Sequence, residues 1–295
     1  MALYRQFGYG EDMAVREIEA NDITSAVRDL VIETCCVLPD DVKFALEKAY
    51  EAEGAPAAKD ALSDILENAD IAKTRHIPIC QDTGLAVFFV ELGQDVHIIG
   101  GDFKEAMDKG VAAGYTEGYL RKSTQDHALS ERVNRGDNTP AILHISIVPG
   151  DKLKITFCPK GGGSENMSAV GMLKPAQGRD GIKKFVIDTV EKAGPNPCPP
   201  LIVGVGIGGT FEVAAELAKR SLIRETGEPS PDPEAAELEK ELLEEINKLG
   251  IGAAGYGGSQ TALAVHVLTH PVHLASLPVA VNIQCHAARH KTNVI

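Results

Sequence analysis

Apolar residues in the first quarter of the chain recur every three or four positions. Ile23, Val27, Leu30, Val31 and Leu38 share one face, which predicts helical structure over residues 11–73, capped at Asn21-Asp22 and broken at Leu38-Pro39-Asp40-Asp41. A third helix is predicted from Lys59 to Ala72. The period then shortens. Leu85 to Val90 and Val96 to Ile99 predict strands, and Phe103 to Glu117 a helix. Ala141 to Val148 and Lys152 to Phe157 alternate, with Leu153, Ile155 and Phe157 on one face, and Pro149-Gly150-Asp151 between them predicts a hairpin. Further on come a helix from Gly178 to Lys192, a short strand Leu201 to Val203, a helix from Thr210 to Arg224 and a polar, proline-rich connection over 225–234. An acidic helix from Glu234 to Lys248 carries a thin stripe of Leu238, Leu242 and Ile246, and the apolar segments Thr261 to Leu268 and Leu277 to Ile283 finish the pattern. Helical and strand periods mix throughout without an internal repeat, which predicts an α/β or mixed α+β class: one unit over 1–295, helical over 1–75 and mixed over 76–295.

Composition narrows the function classes. At 44% hydrophobic and 24% charged residues, the 295-residue chain has the make-up of a soluble globular protein with a full core. The first residues lack the apolar segment of a signal peptide, and no run reaches the roughly 18 apolar residues of a membrane span, so a cytoplasmic protein is expected. A net charge of −13 argues against nonspecific nucleic-acid binding, which needs basic patches. Six cysteines in such a chain suggest reduced thiols or metal ligands, and the absence of any CxxC excludes zinc ribbons and thioredoxin-like motifs.

Ile79-Cys80-Gln81-Asp82-Thr83-Gly84 places a thiol, an amide, a carboxylate and a glycine just before an apolar run. Such a loop, entering a buried strand, can hold a thiolate in a fixed direction. Cys198, in Pro195-Asn196-Pro197-Cys198-Pro199-Pro200, and Cys285, in Asn282-Ile283-Gln284-Cys285-His286, have similar loop or strand-end settings. Cys35 and Cys36 fall inside a helix and read as small buried residues, and Cys158, at a strand end, as an inert thiol. The three candidate ligands are 118 and 87 residues apart, which excludes ferredoxin-type runs; three thiolates from distant loops can still bind a [4Fe–4S] cluster and leave one iron open.

Two glycine-rich stretches have the composition of phosphate or carboxylate loops. Gly204-Val205-Gly206-Ile207-Gly208-Gly209 satisfies G-x-G-x-x-G, but Glu225, at the acidic position, has no strand before it, so the glycines read instead as room for a helix on a strand. Lys160-Gly161-Gly162-Gly163-Ser164-Glu165-Asn166 is not a Walker loop; its backbone N–H groups and lysine suit a carboxylate. Arg121 is a candidate for a two-pronged carboxylate grip. His273, between two apolar segments, is expected to be partly buried near the Cys285 strand, with a carboxylate such as Asp82 to orient it.

Together, the 79–84 loop, Gly118-Tyr119-Leu120-Arg121, the 160–166 loop, Pro197-Cys198, the 204–209 glycines and Ser276 to Cys285 resemble the α-type domain of class I, iron–sulfur-dependent fumarate hydratases and L(+)-tartrate dehydratases. The resemblance implies a [4Fe–4S] cluster on Cys80, Cys198 and Cys285, substrate contacts from Gln81, Asp82, Arg121 and the Gly162-Gly163 backbone, and a proton-handling pair of Asp82 and His273. It implies hydration of fumarate to L-malate, or alternatively dehydration of tartrate, with a small dicarboxylate as substrate. Family members with both halves in one chain continue into a β-type domain carrying the base. The resemblance therefore implies a separate β subunit, an active site closed at the interface and a higher hetero-oligomer. A mononuclear zinc hydrolase and a non-catalytic scaffold subunit are the alternatives from other classes.

Overall fold

The computed structural model describes residues 15–295, and these open on a strand followed by three helices. Strand β1 (Arg16–Glu19) leads directly into helix α1 (Ala20–Cys36), so the expected helix does not reach back to residue 15; its predicted start at residues 11–14 lies outside the described residues. Asn21 and Asp22 stand in the first turn of α1 rather than at its cap, where Asp22 favours the positive end of the helix dipole. Helices α2 (Asp40–Ala52) and α3 (Pro56–Arg75) follow, the second opening on a proline whose missing N–H costs nothing at that position.

Next come β2 (Leu85–Gly93), β3 (Val96–Ile99), α4 (Phe103–Glu117), the short strands β4 (Gln125–Asp126) and β5 (Val133–Asn134), β6 (Ile142–Val148) and β7 (Leu153–Lys160). The expected hairpin of β6 and β7 does not form. The order in this four-stranded sheet, completed by β12 (Lys291–Val294), is β12-β7-β2-β6, with β2 parallel to β6 and antiparallel to β7. Ala86 to Val90 are all buried, and a strand buried on both faces belongs inside a sheet; β2 takes the place between the two alternating strands. Helices α1 and α4 cover one face, through a core that includes Val27, Val31, Met107, Phe88 and Phe157.

The short helix α5 (Gly162–Glu165) leads to β8 (Ala169–Leu173), α6 (Gly178–Ala193), β9 (Leu201–Gly209), α7 (Phe211–Ser221), α8 (Pro233–Lys248), β10 (Ala262–Val272) and β11 (Leu277–Gln284). These strands make a second sheet in the order β10-β9-β11-β8. The glycine run 204–209 is therefore not a loop after a short strand but the second half of β9. A Cβ on Gly204 or Gly206 would lie 2.1 Å from the carbonyl oxygens of Ala218 or Ala214, so bare glycine lets α7 lie directly on the strand. A third cluster, from α2 and α3, packs Leu46 and Leu62 against Ile79, Ile202 and Ala287, beside the second sheet and the loops that carry Cys80 and Cys285. The fold is mixed α/β, and among the described residues no helix is long and apolar enough to cross a membrane.

Antiparallel pairing sets where the loops meet. Leu85, at the start of β2, is opposite Lys160 at the end of β7, and Ile202, near the start of β9, is opposite Gln284 at the end of β11. The loops entering β2 and β9 and those leaving β7 and β11 thus emerge at adjoining sheet ends.

Candidate functional site

At that junction lies a cavity of about 130 Å³ whose wall includes the thiols of Cys80, Cys198 and Cys285. Gln81, Asp82, Gly163 and Ser164 also face it. Each thiol sits on a segment pinned by its surroundings. The Cys80 loop is tied to α1 by the Ile79 N–H on the Cys35 carbonyl (3.0 Å) and to α3 by the Asn68 amide on the Ile79 carbonyl (2.8 Å). On its far side the Thr83 hydroxyl donates to the Arg121 carbonyl, and the buried Tyr115 hydroxyl lies within hydrogen-bond reach of the Thr83 and Gly84 carbonyls. Gly84 has φ +73° and a virtual Cβ 2.6 Å from the Lys160 backbone, so no side chain fits there.

Asp82 is half-buried, and both its oxygens are engaged: Oδ1 accepts the Gly84 N–H at 3.0 Å and Oδ2 the Gly162 N–H at 2.8 Å. Through that second bond the Gly162 N–H is engaged by Asp82, and the 160–166 loop winds into α5. Lys160 is displaced from its expected role. Its side chain is buried, with Nζ 2.7 Å from Ser164 Oγ and 3.3 Å from Glu165 Oε2. Burial lowers the Lys160 pKa to about 8; burial would raise that of Glu165, but the charges of Lys160 and Lys219 prevail and bring it to about 2.

Cys198 is exposed, with φ 56°, a left-handed conformation that costs a non-glycine residue of order 1–3 kcal/mol and persists only where neighbours impose it. Pro197 and Pro199 stiffen it on both sides, while its carbonyl accepts both the backbone N–H of His286 (3.2 Å) and that residue's Nδ1–H (3.0 Å). Burial raises the pKa of Cys198 and Cys285, the nearby Cys80 sulfur adding to the rise in both; at Cys285 the charge of Arg289 works the other way. The Asp82 N–H lies 3.4 Å from the Cys80 sulfur, the kind of amide contact that supports a thiolate.

The donor set fits a polynuclear iron–sulfur group better than a lone ion. Among the described residues no three His, Cys, Asp or Glu side chains stand close enough to share one metal ion, yet three thiols surround a single cavity. Sulfurs spread around a space can each take a different iron. The guanidinium of Arg289, buried in the same wall, has a buried Nε without a protein partner. Burial opposes its charge, but the neighbouring Cys35, Cys285 and Cys80 sulfurs more than offset that and leave its pKa raised.

Three expected site residues are not in the cavity wall: Gly162, whose N–H is on Asp82, Arg121 and His273. Arg121 contributes its backbone carbonyl to the Cys80 loop, but its side chain is exposed. His273 is not partly buried beside the Cys285 strand. It lies exposed on the β10–β11 connection and lines a different cavity, with Leu274, Ser276 and Arg179, because β11 must run its full length from there to reach Cys285. The Asp82–His273 pair is therefore not assembled within one chain. Sequence reasoning passed over Arg289 and Tyr115; the signal for the first was a lone arginine among alanines four residues after Cys285. Cys35, Cys36 and Cys158 are buried, as small apolar residues would be.

A family model described as fumarate hydratase (fumerase) matches residues 24–294. A Methanocaldococcus jannaschii protein provisionally named L(+)-tartrate dehydratase subunit alpha is 45% identical over 276 residues, covering 90% of this chain and 95% of that protein. L(+)-tartrate dehydratase subunit alpha of Escherichia coli is 32% identical over 92% of this chain and 90% of its own length. That of Shigella sonnei is 31% identical, over 93% and 91%.

Proposed function

Because the chain belongs to the fumarate hydratase (fumerase) family, we propose that it is the alpha subunit of a two-subunit, [4Fe–4S]-dependent hydro-lyase that hydrates fumarate to L-malate. The observation that carries this reading is the meeting of Cys80, Cys198 and Cys285 around one cavity beside Gln81 and Asp82. Those three thiolates would hold the cluster. When bound, it supplies a Lewis-acidic iron that makes a hydroxyl a better leaving group.

The chain's own residues account for positioning. Asp82, fixed by two backbone N–H groups, presents a carboxylate that cannot swing away, and it accepts or returns a proton at the cavity edge. The Gln81 amide and the Gly163 backbone hold a substrate carboxylate, with the amide able to turn either donor or acceptor inward. Gly162 serves through Asp82, by holding it. In this reading neither Arg121 nor His273 has a place in the cavity of a single chain.

Relatives carry the words "subunit alpha" in their names, which supports a β partner that completes the site. Their names also favour a second substrate, L(+)-tartrate, whose dehydration removes a hydroxyl from the same kind of four-carbon dicarboxylate. The test is anaerobic purification of the chain with its partner, followed by iron and sulfide analysis and assays with L-malate, fumarate and L(+)-tartrate. About four irons and four sulfides per chain, lost when Cys80, Cys198 or Cys285 is replaced by serine, are expected. A zinc-only preparation, or one with no metal, overturns the reading. Turnover of tartrate without fumarate hydration reassigns the substrate and leaves the cluster assignment in place.

A further inference from the structure

The segment Cys285-His286-Ala287-Ala288-Arg289 touches both of the other thiol-bearing loops. His286 donates its backbone N–H and its Nδ1–H to the carbonyl of Cys198, at 3.2 and 3.0 Å. Arg289 donates Nη2–H to the carbonyl of Asp82, two residues past Cys80, at 2.9 Å, and Nη1–H to the carbonyl of Ala287, at 2.9 Å. Arg289 is only 5% exposed, and Ala287 and Ala288 are buried against the α2–α3 cluster, so the segment is anchored independently of the loops it grips. Neither the Cys80 loop nor the Cys198 loop belongs to the same sheet edge as the other; each reaches the common cavity from its own strand, β2 or β9.

We propose that His286 and Arg289 are positioning residues, which draw the Cys198 and Cys80 loops onto the Cys285 segment and so set the spacing of the three thiols. Charge and geometry act together in this clamp. The guanidinium brings a buried positive charge to a wall of three sulfurs, and its rigid planar fork reaches two carbonyls at once in a geometry that a lysine ammonium does not fix. The ring of His286 supplies a donor at a fixed angle to a carbonyl whose residue is held in a strained backbone conformation. The inference rests on the cluster reading above only for its second readout.

The first readout needs no cofactor. In the reduced chain stripped of iron, a bifunctional thiol reagent that fluoresces only after bridging two sulfurs reports their convergence, and circular dichroism reports folding. Arg289→Met and His286→Ala are each expected to lower bridging severalfold with the far-ultraviolet spectrum unchanged. Arg289→Lys should recover part of it through its charge, and His286→Asn should recover more, because an amide can replace the ring donor. The second readout is iron and sulfide bound on anaerobic reconstitution, where loss of such supporting contacts costs roughly 10-fold or more in metal affinity. Bridging and iron content equal to wild type in both Arg289→Met and His286→Ala overturn the clamp. If Arg289→Met unfolds, unchanged bridging in both His286→Ala and Arg289→Lys has the same force. A wild-type chain that bridges its thiols but takes up no iron or sulfide sinks the cluster reading alone and leaves the positioning roles standing.

Discussion

His266 shows how one residue couples the fold to pH. Its ring is buried, with Nδ1–H donated to the Ser221 carbonyl at 3.0 Å and Nε2 without a protein partner, near Arg224, Glu239 and Asp41. Burial first, and then the Arg224 charge, bring its pKa from 6.5 to about 4. Between those values the unfolded chain takes up a proton that the folded chain refuses, so stability falls as pH drops from about 6.5 to 4, by on the order of 3 kcal/mol. His286 and His290, lowered by burial, act in the same direction, and Glu165 extends the loss below pH 4.5. Urea unfolding at pH 7 and pH 4.5 should show the drop, and His266→Gln should remove part of it; an unchanged pH slope in that variant refutes the assignment. Cys80, Cys198 and Cys285 were readable because each stands beside proline, glycine or a strand end. Arg289 was not, since nothing local in a sequence says which buried carbonyls a guanidinium will reach. His273 was misplaced for the related reason that apolar neighbours on both sides imply burial only if the connection between the strands is itself covered.

Among the elements, β9 and α7 lie backbone against backbone. Gly206→Ala would put a methyl 2.1 Å from the Ala214 carbonyl oxygen, and backbone on backbone has no rotamer to escape through. A loss of about 1–3 kcal/mol is expected, read as a lower melting temperature. A change below 0.5 kcal/mol would mean that α7 slides freely over the strand. Helix α4 and strand β3 lie about where the apolar periods place them, and Asp102 caps the helix onto the Glu105 N–H. The β6–β7 hairpin failed for a nonlocal reason. A turn signal between two alternating runs cannot reveal that a third strand, 60 residues earlier, needs two neighbours to cover its backbone. The same limit hid the reach of β9, whose glycines look like a loop until a helix is laid on them.

Across the whole molecule, the candidate site depends on two sheets whose ends adjoin. A group bound by three loops from separate strands binds the folded chain and not the unfolded one, so loading should raise the melting temperature, and Cys198→Ser should abolish the rise. Identical melting of loaded and stripped chains would show that the loops hold their places unaided. The mixed α/β class was readable from the alternation of periods, whereas the meeting of loops from opposite ends of the sequence was not, since strand order is decided by burial over the entire chain.

The seam between the sheets makes the thiol triangle a gauge of mechanical slack. A shear of one layer against the other by a fraction of a bond length would splay the sulfurs while leaving every helix and ladder intact. Under mild denaturant, any metal that the three thiols hold should therefore leak away well before the circular dichroism changes, and the site would be lost while the chain still looks whole.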